Sequence, residues 1–345
     1  MKIGISSFSE ERLRAFVQEL GQPAFRGSQI FKWLHAKQAS SFDEMTDQPK
    51  AFLAQLKEQC LIETLSIQRR QQSKDGTVKY LFALPDGNCI ETVWMEYSYG
   101  NTVCVSTQVG CRMGCRFCAS TQGGKVRDLS AGEIAGEVYA AMADQGKRVS
   151  HIVLMGIGEP LDNFDNVLDF LSIISSPHGV NIGMRNISLS TCGLVPQIEK
   201  LAQRHLQLTL SISLHAPTNE MRSKMMPVND AYPVETLIAA CRAYQRETGR
   251  RVSFEYSMVR GVNDSPETAR KLAGLIRGMG AHVNLIPINP VDGSPFTATD
   301  AAAIRRFQET LNALGVNATV RRRLGSDISA ACGQLRREAK GGSNP

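Results

Sequence analysis

The chain has 345 residues, 42% of them hydrophobic and 21% charged, with a formal net charge of +6 at pH 7. This composition is typical of a folded globular protein, and no apolar run approaches the ~18 residues of a membrane span. The first residues mix acidic and basic side chains, unlike a signal peptide, so we expect a cytoplasmic protein without a membrane part. In a reducing compartment, the nine cysteines are expected to be metal ligands, catalytic thiols or core residues rather than disulfides.

Three helical patterns occupy the first 60 residues. SEERLRAFVQELG begins at a capping Ser9, places apolar residues on one face and ends at Gly21. GSQIFKWLHAK and KAFLAQLKEQC follow, separated by polar turns. We therefore predict a small helical accessory domain over residues 1–62.

The period of the pattern then changes to that of strands. VKYLFAL and CIETVWMEY are two β-rich runs on either side of the turn sequence PDGN. Two such runs about a Pro-Asp-Gly turn are typical of a β-hairpin. We predict a β-hairpin extension over residues 63–97.

From residue 98 onward, short β-rich runs alternate with amphipathic helical patterns. The runs are TVCVS, HIVLMG, NISLST, LTLSISLH, VSFEYSMV, HVNLIPI and NATVRR. One of the helical stretches, residues 129–146, opens with the capping box Ser130–Glu133. Repeated βα units indicate an α/β fold with a parallel sheet, and this number of units favours a partial TIM-like barrel over residues 98–335. Residues 336–345 are expected to form a basic, flexible tail.

Polar or cysteine-containing motifs follow five of these runs directly. They are C-x3-C-x2-C, GIGEP, STCG, SLHAP and PINP. Loops that follow successive parallel strands meet at one mouth of the sheet. We therefore expect these motifs to be neighbours in space although they lie far apart in sequence.

Cys111, Cys115 and Cys118 have the spacing of a loop that wraps an iron–sulfur cluster, and Cys104 precedes them by seven residues. A [4Fe–4S] cluster held by three thiolates keeps one iron open for another ligand. Zinc requires four donors and usually paired C-x2-C ligands, and the chain has no second C-x2-C. Cys104 would complete a four-thiolate site only if the intervening residues bent back.

The cysteine spacing, with Phe117 before the third cysteine, and the segment MGIGEP resemble the radical S-adenosylmethionine (SAM) superfamily. The resemblance implies a [4Fe–4S] cluster on the three cysteines, with SAM chelated at the open iron and cleaved to a 5′-deoxyadenosyl radical. Taken singly, each of the strand-end residues is more often a cap or a turn residue. The SAM contacts that the resemblance implies are Gly158, Glu159, Ser190, Ser213, Leu214, His215 and Asn289.

A wider set of motifs resembles one group within that superfamily. The segments ETVWMEY, GIGEPLDN, SLHAP, MPVND, GVNDS and AACGQL, together with the cysteine segment, are similar to the RlmN/Cfr group of RNA adenosine methyltransferases. The resemblance covers nearly the whole chain. It implies that residues 98–335 form a radical SAM core with a catalytic C-terminal segment and that residues 1–62 form an RNA-binding domain.

The resemblance also implies a use for the remaining thiols. Carbons 2 and 8 of adenine are electrophilic and cannot attack the methyl group of SAM, so Cys332 first takes a methyl group from one SAM. A second SAM supplies the radical that activates this S-methylcysteine, which then adds to the adenine ring. Cys104 releases the product by forming a transient disulfide with Cys332, and Glu91 is the proton acceptor that contacts the adenine. Such a disulfide is catalytic and is reduced before the next turnover.

The expected substrate is an adenosine of 23S rRNA, with the adenosine 3′ of the tRNA anticodon as a further candidate. Pro160 and the segment IPINP resemble the C2-methylating branch of the group, and this resemblance favours methylation at C2 over the C8 methylation of the Cfr-type resistance enzymes. Basic clusters such as Arg321–Arg323 are suited to a polyanion. We also expect a flavodoxin-type reductase as electron donor and a monomeric enzyme.

Two other functions are compatible with parts of the chain. A radical SAM enzyme acting on a small molecule would use the cluster but would have no use for Cys104 and Cys332. A zinc-stabilised RNA-binding protein would explain the charge and the cysteines but not GIGEP or the convergence of motifs at the strand ends.

Overall fold

A computed structural model describes residues 2–289 and 294–330. Cys332 and the tail 336–345 lie outside the described residues. The helices are α1 (Glu10–Glu19), α2 (Phe25–His35), α3 (Lys50–Gln59), α4 (Ala131–Gln145), α5 (Phe164–Ser175), α6 (Val195–Ala202), α7 (Asn219–Met225), α8 (Val234–Thr248), α9 (Pro266–Leu275) and α10 (Ala301–Ala313). In the described part of the chain, no helix has the length and apolar character required to cross a membrane.

The strands belong to one large sheet and two small pairs. They are β1 (Ile3–Gly4), β2 (Cys60–Leu61), β3 (Ser66–Gln72), β4 (Val78–Ala83), β5 (Cys89–Tyr97), β6 (Gly100–Val105), β7 (Gln108–Gly110), β8 (Lys125–Asp128), β9 (His151–Leu154), β10 (Ile187–Thr191), β11 (Thr209–Ser213), β12 (Val252–Met258), β13 (His282–Pro287) and β14 (Asn317–Val320). The large sheet has the order β14-β13-β12-β11-β10-β9-β6-β5-β4-β3. From β6 through β14 its strands run parallel, which confirms the seven predicted βα runs and the partial TIM-like barrel.

The predicted hairpin is present, since β4 and β5 pair antiparallel. Its second strand, β5, also pairs with β6, so the hairpin continues the main sheet. Strand β3 was not predicted and adds a further antiparallel strand at the edge. Its sequence, SIQRRQQ, is largely exposed and polar, so it carries none of the apolar alternation by which strands are recognised.

The N-terminal helices pack onto the same core as the sheet. Ser9 caps α1 by accepting a hydrogen bond from the Arg12 amide (3.2 Å), as the sequence predicts. The side chain of Glu63 then connects this region to the start of α4. It accepts hydrogen bonds from the hydroxyls of Ser7 (2.9 Å) and Ser130 (2.5 Å). The predicted capping box of α4, Ser130 with Glu133, is also formed.

The two faces of the parallel strands differ in chemistry. Side chains alternate between the faces of a strand, so each strand contributes residues to both. The face toward the helices is apolar and includes the fully buried Leu189, Leu210, Ile212, Phe254 and Val283. The opposite, inner face is polar and includes Ser190, Ser213, Glu255, Ser257 and Asn284. A typical closed barrel fills its interior with branched apolar side chains. The partial barrel of this protein instead presents polar groups to a cavity.

The chain after β14 returns across the open side of the barrel. Asp327 accepts a hydrogen bond from the Ser73 hydroxyl (2.6 Å), and Asp75 accepts one from the Gly325 amide (2.9 Å). Residues 73–77 form the turn between β3 and β4, which lie at the opposite edge of the sheet from β14. Residues 321–330 therefore connect the two edges, and we call them the closing segment.

Candidate active site

The three clustered cysteines lie in a loop that a short strand pair holds at its base. β7 enters the loop and β8 leaves it, with Gly110 opposite Lys125. Gly110 has φ +79°, and a Cβ there would strike the carbonyl oxygen of Gly124, so glycine is required. The loop is attached to the end of α7 by the hydrogen bond from the Arg116 amide to the Met225 carbonyl oxygen (3.0 Å).

One cavity, which we call the upper cavity, lies at the carboxyl ends of the strands. It comprises about 1020 Å³ of space outside protein atoms, including its open mouth. The sequence-predicted residues that line it are Cys111, Cys115, Cys118, Gly158, Glu159, Ser190, Ser213, His215 and Asn289. The expected convergence of the strand-end motifs is therefore observed. Leu214 differs from the others, because its side chain is fully buried in the hydrophobic core.

The donor set fits an iron–sulfur cluster. Burial raises the pKa of the Cys111 thiol to about 12 and that of Cys115 well above its ordinary value. Thiolates at such positions need a cation to replace the lost hydration, and cluster irons supply that charge. Among the described residues, no three His, Cys, Asp or Glu side chains are arranged to hold a single metal ion. Three sulfurs that bind three different irons of a cluster need not meet at one point, whereas zinc ligands must.

The GIGEP segment brings backbone and one carboxylate close to the cysteines. Gly158 has φ +110°, and a Cβ there would lie 2.7 Å from the Cβ of Gln108. The carboxylate of Glu159 accepts hydrogen bonds from the amides of Cys192 (2.7 Å) and Leu161 (3.1 Å). Burial raises the pKa of Glu159, while these hydrogen bonds oppose the shift. Glu159 is thus a rigidly oriented acceptor in the wall of the upper cavity.

His215 is held as a neutral hydrogen-bond donor. Its Nδ1 accepts from the Ser257 amide (2.9 Å), so the ring proton resides on Nε2. Burial lowers the pKa of His215 to about 3. The residue has φ +56°, a conformation that side chains rarely adopt, and the buried Asn263 supports it by donating to its carbonyl oxygen (2.7 Å). The ring also meets Phe117 of the cysteine loop edge to face, at 4.8 Å between centroids.

Arg222 supports the wall of the upper cavity, a role that the sequence did not predict. It is fully buried and donates to the carbonyl oxygens of Cys192 (2.6 Å), Leu214 (3.2 Å) and Ser213 (3.4 Å). These carbonyls end β11 and follow β10, so one guanidinium fixes two of the strand ends. The sequence MRSKMMPVND predicts that Arg222 is a basic residue on a short helix. Nothing in this sequence indicates that Arg222 is buried.

Glu255 is a second carboxylate of the upper cavity that the sequence analysis missed. It accepts a hydrogen bond from the Asn284 amide group (2.8 Å), and Arg321 approaches it at 3.9 Å. Burial raises its pKa. The alternation in VSFEYSMV places Glu255 on the same face as Ser257, which is the one signal that could have identified it.

Cys104 does not line the upper cavity but a second one of about 590 Å³, the lower cavity. Cys104 projects from the inner face of β6, in register with Val93 on β5 and Val153 on β9. The two cavities share Met155, Ile286, Asn289 and Arg321 in their walls, so they are adjacent. The closing segment supplies Arg321, Arg322, Arg323, Leu324 and Ala330 to the lower cavity.

Glu91 is completely buried two residues before Val93 on β5, on the strand face that carries Cys104 across the pairing. Its carboxylate forms an ion pair with Lys79 at 2.6 Å. The Lys79 ammonium also approaches the Ser329 carbonyl oxygen of the closing segment, at 3.4 Å. Glu91 is not among the described residues that line the upper or the lower cavity. Lys79 was not predicted, because a lysine in VKYLFAL reads as an exposed strand residue.

Comparisons with known proteins agree with this site. Residues 105–273 match the radical SAM superfamily, and residues 3–62 match the ribosomal RNA large subunit methyltransferase N-terminal domain. The chain is 51% identical to a probable dual-specificity RNA methyltransferase RlmN from Desulforamulus reducens, covering 97% of this chain and 96% of the relative. It is 51% identical to a protein of the same description from Clostridioides difficile, covering 98% and 99%. A radical SAM methyltransferase structure from Sphaerobacter thermophilus superposes with a TM-score of 0.92 at 44% identity, covering 96% and 99%.

Proposed function

This chain belongs to the RlmN family of radical SAM RNA methyltransferases, and we propose that it methylates carbon 2 of an adenosine in 23S rRNA. The adenosine 3′ of the tRNA anticodon is the second proposed substrate, in keeping with the dual specificity named for the relatives. The matched N-terminal domain supports a substrate in the large ribosomal subunit.

The proposal rests on two adjacent cavities that are lined by different functional residues. The upper cavity has the three cysteines of the loop, and the lower cavity has Cys104. Arg321 and Met155 belong to the walls of both. Such an arrangement suits an enzyme that generates a radical in one cavity and uses it on a large substrate in the adjacent cavity.

The residues of the upper cavity are suited to the cofactors of this family. We propose that Cys111, Cys115 and Cys118 hold the [4Fe–4S] cluster and that Gly158, Glu159, Ser190, Ser213, Leu214, His215 and Asn289 contact SAM. When bound, this pair supplies the 5′-deoxyadenosyl radical. Glu159 is oriented to accept from an ammonium group, and His215 to donate through Nε2. Leu214 has a buried side chain, so its contribution would be made by its backbone.

We propose that Cys332 is the methyl-carrying thiol, Cys104 the resolving thiol and Glu91 the proton acceptor. Ala330, the last described residue, lines the lower cavity together with Cys104. Cys332 follows two residues later in the sequence, a step of at most ~7 Å of extended chain. Glu91 is fully buried and paired with Lys79, and Lys79 also contacts the closing segment.

The remaining parts of the chain are assigned to substrate handling. We propose that residues 1–62 bind RNA and that residues 63–97 widen the barrel wall of the core 98–335. The enzyme acts as a monomer in the cytoplasm, where a flavodoxin-type reductase supplies the electron and the transient disulfide is re-reduced. A target adenine has to leave its stack to reach the cavities, so single-stranded loops of RNA are the suitable substrates.

The experiment is anaerobic purification followed by reaction with 23S rRNA fragments. The protein is expected to be brown, with about one cluster per chain, and Cys332 to carry a methyl or methylene mass. Cys104→Ala is expected to accumulate a covalent RNA–protein adduct, because the resolving thiol is missing, whereas Cys332→Ala forms none. An adduct with Cys332→Ala would refute the assigned roles.

Mapping the methylated carbon distinguishes the alternatives. Methyl at C2 is expected, whereas methyl at C8 would indicate the Cfr-type activity. A brown protein with unmodified Cys332 that does not methylate RNA would be a radical SAM enzyme acting on a small molecule. A colourless zinc protein would refute the cluster assignment.

A further inference from the structure

Two tyrosines at the end of β5 form an exposed aromatic stack that the proposed chemistry does not use. The rings of Tyr97 and Tyr99 are nearly parallel, with 9° between their planes and 4.9 Å between their centroids. Tyr99 is 64% exposed, although Tyr97 covers one side of it. The ring of His151 meets Tyr99 at a steep angle, 83°, at 5.2 Å. The ring of Tyr99 is therefore held in place while most of its surface remains open.

This stack adjoins the lower cavity. Tyr97 lines that cavity together with Cys104. Tyr97 follows Val93, the β5 partner of Cys104, by four residues on the same strand face. Four residues of antiparallel strand span about 14 Å. The exposed ring of Tyr99 thus lies beyond the end of the lower cavity. At this distance from Cys104, it can contact a nucleotide next to the target but not the reacting base.

Positive charge surrounds the same opening. Arg321, Arg322 and Arg323 line the lower cavity with Tyr97. Burial raises the pKa of Tyr97, and the charges of Arg321 and Arg322 oppose that shift, which shows that the guanidinium groups are close to the tyrosine. An open aromatic ring beside several arginines matches the chemistry of single-stranded nucleic acid, in which bases stack and phosphates bind cations.

We propose that Tyr99, supported from behind by Tyr97, is the stacking platform for a nucleobase that flanks the target adenine in the RNA. This inference rests on the proposed function, because the target adenine must be the base that enters the lower cavity. Extrusion of the target deprives its neighbour of a stacking partner, and Tyr99 replaces that partner. Arg322 and Arg323 bind the phosphodiester group that links the two nucleotides. Stacking on a ring is tolerant of base identity, so the platform favours an unpaired neighbour rather than a particular sequence.

The test is a double-mutant cycle between protein and RNA. Anaerobic, cluster-containing wild type, Tyr99→Ala and Tyr99→Phe are titrated at fixed salt with a fluorescent RNA hairpin whose loop contains the target adenosine. A set of hairpins carries an abasic nucleotide at one flanking position at a time. We expect Tyr99→Ala to weaken binding of the intact hairpin about 5- to 150-fold, the range of one base stack. Tyr99→Phe keeps the ring and is expected to bind as wild type does.

The abasic hairpins decide whether the lost contact is a base stack. At one flanking position the abasic nucleotide should weaken wild-type binding, and Tyr99→Ala should add no further loss there. If the two losses multiply at every position, or if Tyr99→Ala binds the intact hairpin as wild type does, the inference is wrong. Leu314→Ala is the matched control, since Leu314 is 51% exposed at the end of α10 and should leave binding unchanged.

Failure of this inference differs from failure of the proposed function. Wild-type enzyme that methylates the intact hairpin, combined with multiplicative losses, refutes the platform and leaves the methyltransferase standing. Wild-type enzyme that binds the hairpin but transfers no methyl group to 23S rRNA or tRNA refutes the proposed function instead. Thermal unfolding of Tyr99→Ala at the wild-type temperature confirms that the variant is folded.

Discussion

On β10, Leu189 faces the helices and is fully buried, whereas Ser188 and Ser190 on the same strand face the interior of the barrel. Strands β11 and β12 repeat this difference with Leu210 against Ser213 and Phe254 against Glu255. The outer face holds the sheet to its helices by apolar burial. The inner face does not pack against helices, because a cavity lies over it. One set of strands thus separates stability from chemistry by the alternation of side chains.

The largest effect should follow from the inner side of this comparison, at the cysteine loop. Cys115→Ala removes one of the three proposed thiolate ligands, so cluster iron, brown absorbance and methyl transfer are expected to fall to background. Cys192→Ala is the matched control, because Cys192 is a buried cysteine of the same cavity with no predicted ligand role. Iron assays of the two purified variants are the measurement. Loss of iron in Cys192→Ala, or its retention in Cys115→Ala, would contradict the three-cysteine assignment.

The next effect compares the two faces of a single strand. Leu189→Ala leaves a cavity against the helices and should lower the free energy of unfolding by about 2–5 kcal/mol. Ser188→Ala, one residue earlier on the half-buried inner face, should change it by less than about 0.5 kcal/mol. Urea unfolding of the two variants measures both values. Equal losses would mean that the inner face is packed as tightly as the outer one.

The smallest effect concerns an exception, a carboxylate buried beneath the outer face. Burial holds the pKa of Glu137 well above its ordinary value of 4.5, although the Ser106 amide and the Thr92 hydroxyl donate to it. The folded protein therefore keeps a proton that the unfolded chain loses as the pH rises past 4.5. The stability of the folded protein therefore falls as the pH rises from 4.5 toward the raised pKa of Glu137.

Glu137→Gln removes this titration, so its stability relative to wild type should rise with pH between about 5 and 8. The measurement is the difference in unfolding free energy across that range. Glu220→Gln is the control, because Glu220 is an exposed carboxylate paired with Lys224 and is ionised in both states over that range. A flat difference for Glu137→Gln would show that the carboxylate is ionised in the folded protein.

Local patterns in the sequence predicted much of this fold. The seven β-rich runs, the Ser9 cap and the Ser130–Glu133 box each depend on residues within one element, so short windows contain the full signal. The cysteine loop was recognisable for the same reason. Strand β3 was missed because an edge strand with polar residues on both sides shows no alternation.

Residues whose partners lie far away in sequence could not be assigned roles in this way. Lys79 pairs with Glu91 inside the sheet, and Arg222 donates to the carbonyl oxygens of Cys192 and Leu214, which follow two different strands. Both are basic residues, which a sequence pattern places on the surface by default. Their burial is decided by acceptors that only the folded chain brings within reach.

The sequence by itself predicted a cluster loop with three cysteines and the convergence of the strand-end motifs, because parallel strands order their loops at one edge. It also determined the alternation of apolar and polar residues along each strand. Only the tertiary structure decided that Cys104 lies in a separate cavity sharing Met155 and Arg321 with the first. That outcome depends on how the sheet curves and on where residues 321–330 cross it. Such contacts join residues about 250 positions apart, and no local pattern encodes them.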